Sequence, residues 1–192
     1  TFLGLWIFGW DRLPKKIHLA SIWIAATGTL LSAYFILAAN AWMQHPVGYI
    51  INEEKGRAEL VDIVAVLTQN TALATFFHTI PSAAFTGGAV VAGVSAYLII
   101  KRKDLEMARS TFKLGAITML ISFVLVAVSG DITARIMTEQ QPMKMAAAEA
   151  LYDTQANAPF SLLTIGTLDG SKAVFQMGVP SVLSFMSTGD FN

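Results

Sequence analysis

The sequence predicts an all-α fold: a polytopic bundle of transmembrane helices with a long polar segment on the outer face of the membrane. Three observations predict it. The chain is 54% hydrophobic and only 14% charged, with a mean hydropathy of +0.56, values that are high for a soluble domain. Three stretches are long and apolar enough to cross a hydrocarbon core of roughly 30 Å, which takes about 20 residues. Lysine and arginine concentrate in alternate connections, the bias that orients membrane helices.

The elements follow in order. Residues 1–8 make a partial span. The first full span covers about residues 17–41, and no Asp, Glu, Lys or Arg falls between Ile17 and Ala41. The second, at about 75–100, contains His78 and no other charged or imidazole side chain. The third, at about 110–130, has its apolar run from Leu114 to Gly130, with Thr111 to Lys113 extending it at the interface. Residues 1–130 are therefore assigned to membrane helices and 131–192 to an extracytoplasmic segment. Within that segment PMKMAAAEALYDT reads as a helix: Pro142 sits in its first turn, good helix formers follow, and Asp153 and Thr154 lie near its end. The remainder, rich in turn residues, reads as loop with brief strands or helices. The opening TFLGLWIFGW lacks an initiator Met, a basic region and a small-residue cleavage site. It reads as the tail of an earlier span and not as a signal peptide, so the chain is expected to be an excerpt of a longer polypeptide.

Charge sets the orientation. Arg12, Lys15 and Lys16 cluster in one short connection, and Lys101, Arg102, Lys103, Arg109 and Lys113 in and just after the other. The opposite side has Lys55 and Arg57 in the 42–74 loop and Arg135, Lys144 and Lys172 in the long tail, together with most of the acids. The short connections are thus cytoplasmic, and the loop and tail lie outside. His78 then sits about one turn into its helix from the outer surface, the surface on which the tail begins at Asp131.

The net charge of zero gives no reason to expect nucleic acid. The absence of cysteine removes disulfides, thiol chemistry and iron–sulfur ligation, so a redox centre must use His, Met or carboxylate. No dinucleotide fingerprint, phosphate loop, HExxH or GxSxG motif is present. An imidazole inside a span is expensive unless it ligates a metal or finds a hydrogen-bond partner, so His78 is the leading functional candidate. The alternative is an imidazole resting at headgroup level. Around it, Phe76, Phe77 and Phe85 supply flat apolar surface, and Gly87, Gly88 and Gly93 allow close approach of a macrocycle or of another helix. Pro81 cannot donate to the carbonyl of Phe77, which is expected to loosen or kink the helix there. An axial His ligand to haem suits a cysteine-free redox protein. His45, before Pro46, is a loop residue with no assigned role.

The motifs FFHTIPSAAFTGG with YLIIKRKD, GDITARIMTEQQPMKMAAAEALYDTQ after the next span, and upstream GWDRLPKKIHLASIW and SAYFILAANAWMQHPVGY resemble subunit I of cytochrome bd quinol oxidase over nearly the whole chain. The resemblance implies a terminal oxidase of the bacterial cytoplasmic membrane. Such an enzyme oxidises membrane quinol at the outer face and reduces O2 to water through two b-type haems and a haem d, contributing to the proton-motive force. It implies that His78 is the axial ligand of the low-spin haem b, while the ligands of the high-spin haem b and of haem d lie outside this chain. Lys144 and Glu149 fall on the quinol-oxidising positions at the start of the outer Q-loop, and Gln141 and Asp131 match nearby motif positions. The implied partners are quinol, O2, a second oxidase subunit, small accessory subunits and the bilayer. Two readings stand beside it: a di-haem b-type electron-transfer anchor of a membrane dehydrogenase, and a non-redox transporter.

The chemistry of the loop pair follows from residue type. Oxidising a quinol releases two protons with two electrons, so a carboxylate beside the hydroxyl is a plausible base, and an ammonium bonds the quinone oxygen. Five residues apart on a regular helix is about 140° around the axis, so Lys144 and Glu149 flank a substrate or face separate partners. One further pattern lies on the first full span. At 100° per residue, His18, Ser21, Thr29, Ser32 and Asn40 fall within roughly a 100° arc. This stripe is either interhelical hydrogen bonding or, given the resemblance, a water-lined proton route in which His18, Ser32 and Asn40 take part.

Overall fold

The computed structural model describes residues 1–191. Three helices are long and apolar enough to cross a membrane: α2 (Lys15–Gln44), α4 (Asn70–Ile100) and α5 (Leu105–Gln140). The short helices α1 (Phe2–Phe8), α3 (Ile63–Thr68), α6 (Pro142–Ala148) and α7 (Val182–Thr188) complete a mostly helical chain. Two antiparallel hairpins interrupt it, β1 (Tyr49–Asn52) with β2 (Arg57–Leu60) and β3 (Phe160–Gly166) with β4 (Ala173–Val179). Large apolar side chains such as Trp23, Ile36, Val90 and Leu120 are exposed along the long helices. Such surfaces meet lipid or other helices in preference to water. By contacts the chain forms two units, Thr1–Phe76 and the part from Phe77 onward.

In the first unit α1 is tied to α2 by His18, whose Nε2 lies 2.7 Å from the carbonyl of Trp6. A carbonyl only accepts, so Nε2–H donates. The first-unit core is small: Ala38, Ala41 and Ala72, with Leu67 against them. Tyr34 donates its hydroxyl to the Leu67 carbonyl at 2.6 Å, satisfying an acceptor near the end of α3. Asp62 caps α3 by accepting from the amides of Val64 and Ala65. The 42–74 segment, read from sequence as loop, thus holds a hairpin and a capped helix.

In the second unit α4 and α5 run antiparallel, held at successive levels. Ser95 and Thr111 hydroxyls lie 2.8 Å apart. Gly88 and Gly115 face each other so closely that a Cβ on either would lie 2.9 Å from the other's carbonyl oxygen. Phe85 and Phe123 rings are 6.4 Å apart, and His78 meets Ser129. The connection closes α4 with two reversed bonds, Lys103 N–H to Leu98 O and Arg102 N–H to Ile99 O, both 3.0 Å. Arg102 there takes a left-handed φ of 54°, the geometry in which helices commonly stop. Pro81 lies inside α4, which stays helical through it.

Two boundaries differ from the sequence reading. The third span was expected to end near 130, but α5 continues to Gln140. Asp131 and Arg135 form an i,i+4 ion pair at 2.9 Å, and Ala134 and Met137 pack onto the buried cluster of Met145, Ala158 and Leu183. The helix expected over 142–154 stops at Ala148. Leu151 N–H bonds Ala146 O at 2.8 Å and Ala150 N–H bonds Ala147 O at 3.4 Å, with Ala150 left-handed at φ 52°. Leu151 turns back into the same cluster, and burial of its side chain outweighs the helix propensity of AAAEAL.

Candidate functional site

His78 is half-buried on α4. Its Nδ1 lies 3.0 Å from Ser129 Oγ, 51 residues away in sequence. Ser129 itself donates to the Leu125 carbonyl at 2.6 Å. Nε2 of His78 has no hydrogen-bond partner among the described residues. Gly130 presents only backbone to the ring: a Cβ there would lie 3.5 Å from Cε1. One turn along, Ser82 Oγ donates to the His78 carbonyl at 2.8 Å, an extra bond beside the donor that Pro81 withholds. Sequence reasoning missed Ser129. Its only signal was a polar residue ending the run FVLVAVSGD, and its meaning depends on the register of two helices.

This arrangement fits an axial iron ligand. An imidazole with Nδ1 engaged and Nε2 uncommitted offers one lone pair in a fixed direction. Among the described residues no three His, Asp or Glu side chains cluster to hold a bare metal ion. A ligand here therefore suits a macrocycle that brings its own equatorial donors.

The loop candidates gather on α6. Gln141 is its N-cap residue, Lys144 is exposed on its first turn, and Glu149 is its half-buried C-cap residue. Met143, Ala146, Ala147 and Ala150 of this segment, with Leu151, Tyr152 and Gly170, line a recess of about 400 Å³. That volume lies in the range of small-molecule pockets. Lys144 and Glu149 thus adjoin a recess of mixed polarity without lining it. Asp131 stands apart from this group, about ten residues back along α5 and paired with Arg135.

The stripe on α2 is largely satisfied by its own helix. Ser21 is buried and donates to His18 O at 2.7 Å, and Thr29 donates to Ala25 O at 2.9 Å. Asn40 accepts from Gln44 through Oδ1. Ser32 and Asn40 are exposed on the helix surface. His18 has the structural task of bonding Trp6 O and stands 4.7 Å, ring to ring, from Trp10.

Comparison with known proteins places these residues in context. The family model described as cytochrome bd terminal oxidase subunit I matches residues 1–192. The chain is 41% identical over 193 aligned residues to the cytochrome bd ubiquinol oxidase subunit 1 of Bacillus subtilis (strain 168), covering 100% of this chain and 41% of that protein. It is 31% identical to the cytochrome bd-II ubiquinol oxidase subunit 1 of Escherichia coli (strain K12), over 98% of this chain and 37% of that protein. The solved bd oxidase from Geobacillus thermodenitrificans superposes with a TM-score of 0.80 at 28% identity, over 98% of this chain and 43% of that one. The chain therefore spans less than half the length of the relatives it matches.

Proposed function

The chain belongs to the cytochrome bd terminal oxidase subunit I family and is an integral membrane protein, and on that premise we propose that it is the quinol-oxidising segment of a quinol:O2 oxidoreductase. The single observation that carries this reading is His78, an imidazole on an uncharged span whose Nδ1 is engaged and whose Nε2 is uncommitted.

His78 holds the low-spin haem b through Nε2. A high-spin haem b and a haem d are held by residues beyond this chain. When bound, these groups supply the one-electron carriers and the iron at which dioxygen is reduced to water. The chain's own residues handle quinol and protons. At the recess beside α6, Lys144 donates a hydrogen bond to one quinol oxygen, and Glu149 accepts the hydroxyl proton as the quinol loses its electrons. Gln141 borders this region as the α6 N-cap residue, while Asp131 stands apart from it on α5, paired with Arg135. Each quinol yields two protons and two electrons, and the protons leave on the extracytoplasmic side, where the 42–74 loop and the tail lie. Protons for water enter from the cytoplasm along α2 past His18, Ser32 and Asn40, so turnover contributes to the proton-motive force. The protein works in the bacterial cytoplasmic membrane with a second subunit and small accessory subunits.

The test is donor-selective. In the complete membrane complex, Lys144→Ala and Glu149→Ala should each lower quinol oxidation by about 100-fold or more, the usual worth of a positioned acid–base group. Haem content and oxygen consumption driven by artificial one-electron donors should stay at wild-type level. Equal loss with both donor types would make the residues structural and move the quinol site elsewhere.

A further inference from the structure

We infer that Ser129 is a positioning residue for His78: its hydroxyl fixes the imidazole tautomer and aims Nε2 at the iron. The inference rests on the reading of His78 as a haem ligand and goes beyond it by naming the group that makes it one.

Ser129 has a single hydroxyl hydrogen. Two backbone carbonyls lie within reach of it, Leu125 O at 2.6 Å and Val126 O at 3.3 Å, and a carbonyl only accepts. The short bond takes the hydrogen, as serines in apolar helices commonly give theirs to the preceding turn. What Ser129 then offers His78 is a lone pair. The 3.0 Å contact requires that Nδ1 carry the imidazole hydrogen, which leaves Nε2 as the bare nitrogen. A ligating histidine generally needs such an outer partner, which sets the tautomer, holds the ring orientation and raises donor strength.

The surroundings make the assignment specific. The neighbouring residue is glycine, and the ring edge lies over its backbone, with 3.5 Å from Cε1 to the place a Cβ would take. The sequence SG therefore gives the ring a hydroxyl to bond and a flat place to rest. The contact joins α4 to α5 just before Asp131, so the serine is set by helix–helix register and not by chain proximity.

The experiment compares Ser129→Thr with Ser129→Val in the complete membrane complex. The two replacements have nearly the same shape, so folding and packing effects are shared and only the hydroxyl differs. The readouts are haem content and the midpoint potential of the low-spin haem b, measured by spectroelectrochemistry. Ser129→Thr should keep the wild-type potential. Ser129→Val should shift it upward, because a less basic imidazole stabilises ferric iron less. A tenfold change in relative affinity, the low end for outer-partner loss, is about 59 mV for a one-electron couple. Equal potentials in the Thr and Val variants would overturn the inference, as would equal loss of the haem from both. His78→Ala run alongside separates the two claims. If its low-spin signal persists, His78 is not the ligand and the functional reading fails. If that signal is lost while Thr and Val match, only the role of Ser129 fails.

Discussion

Replacing Gly88 with alanine should destabilise the membrane hairpin, although alanine is the better helix former. A Cβ at this position would stand 2.9 Å from both Gly115 O and Met119 N, with Met119 Cα at 3.3 Å. All three are backbone atoms, so no rotamer change relieves the clash. Ordinary contact begins near 3.4 Å, so the two helices must part by about 0.5 Å at the crossing (3.4 less 2.9). Over-packing of this kind costs about 1–3 kcal/mol, while glycine to alanine in a helix returns about 0.8–1 kcal/mol. The net expectation is a loss of up to about 2 kcal/mol. Gly87 is the internal control. A Cβ there meets nothing within 4 Å in this chain, so Gly87→Ala retains the propensity gain alone. The assay is reversible unfolding in mixed micelles, following the fraction folded against denaturing detergent. The reasoning fails if Gly88→Ala is as stable as wild type, or if Gly87→Ala is the more damaging of the two.

Two further outcomes follow from particular contacts. The Glu59 carboxylate is held below the usual range, first by the Lys55 ammonium and then by the Asn52 amide; a depressed carboxylate contributes stability above its ordinary range and loses it as pH falls through the folded value. Protection factors of the β1 and β2 amides, taken relative to intrinsic exchange at each pH, should therefore fall as pH drops below about 5, and Glu59→Gln should remove that dependence; an unchanged profile in the variant would contradict it. Replacing Asn40 with Leu should slow oxygen consumption while haem content and quinol affinity stay unchanged, and full turnover in both Asn40→Leu and Ser32→Ala would reduce the stripe on α2 to packing.

The parts of the fold visible in the sequence were those governed by bulk apolar content. Ile17 to Ala41 and Thr75 to Ile100 contain no Asp, Glu, Lys or Arg, and in the structure each lies within a helix a few residues longer. His78 stood out because nothing else on its span carries charge. What sequence reading missed depends on contacts between distant residues. α6 stops at Ala148 because the left-handed Ala150 turns the half-buried Leu151 onto Met145, Ala158 and Leu183, two of which lie in other parts of the tail. The hairpin over Tyr49–Leu60 is short, and β1 is mostly exposed, so YIINEEKGRAEL shows no alternation strong enough to mark two strands. Ser129 is the clearest case. No local pattern distinguishes it from any serine at a span end, and only the register of α4 against α5 gives it a partner.

The length of α5 has a mechanical consequence. Its 36 residues extend about 54 Å at 1.5 Å per residue, against a hydrocarbon thickness of roughly 30 Å. A rod of that length standing along the bilayer normal would exceed the lipid tails by about 24 Å. Ser129 and Met137 lie on it two turns apart, one touching the imidazole on α4 and the other embedded in the tail cluster. A continuous helix does not stretch, so the two points move as one. One uninterrupted helix thus carries both the hydroxyl that meets the imidazole and the residue that anchors the tail.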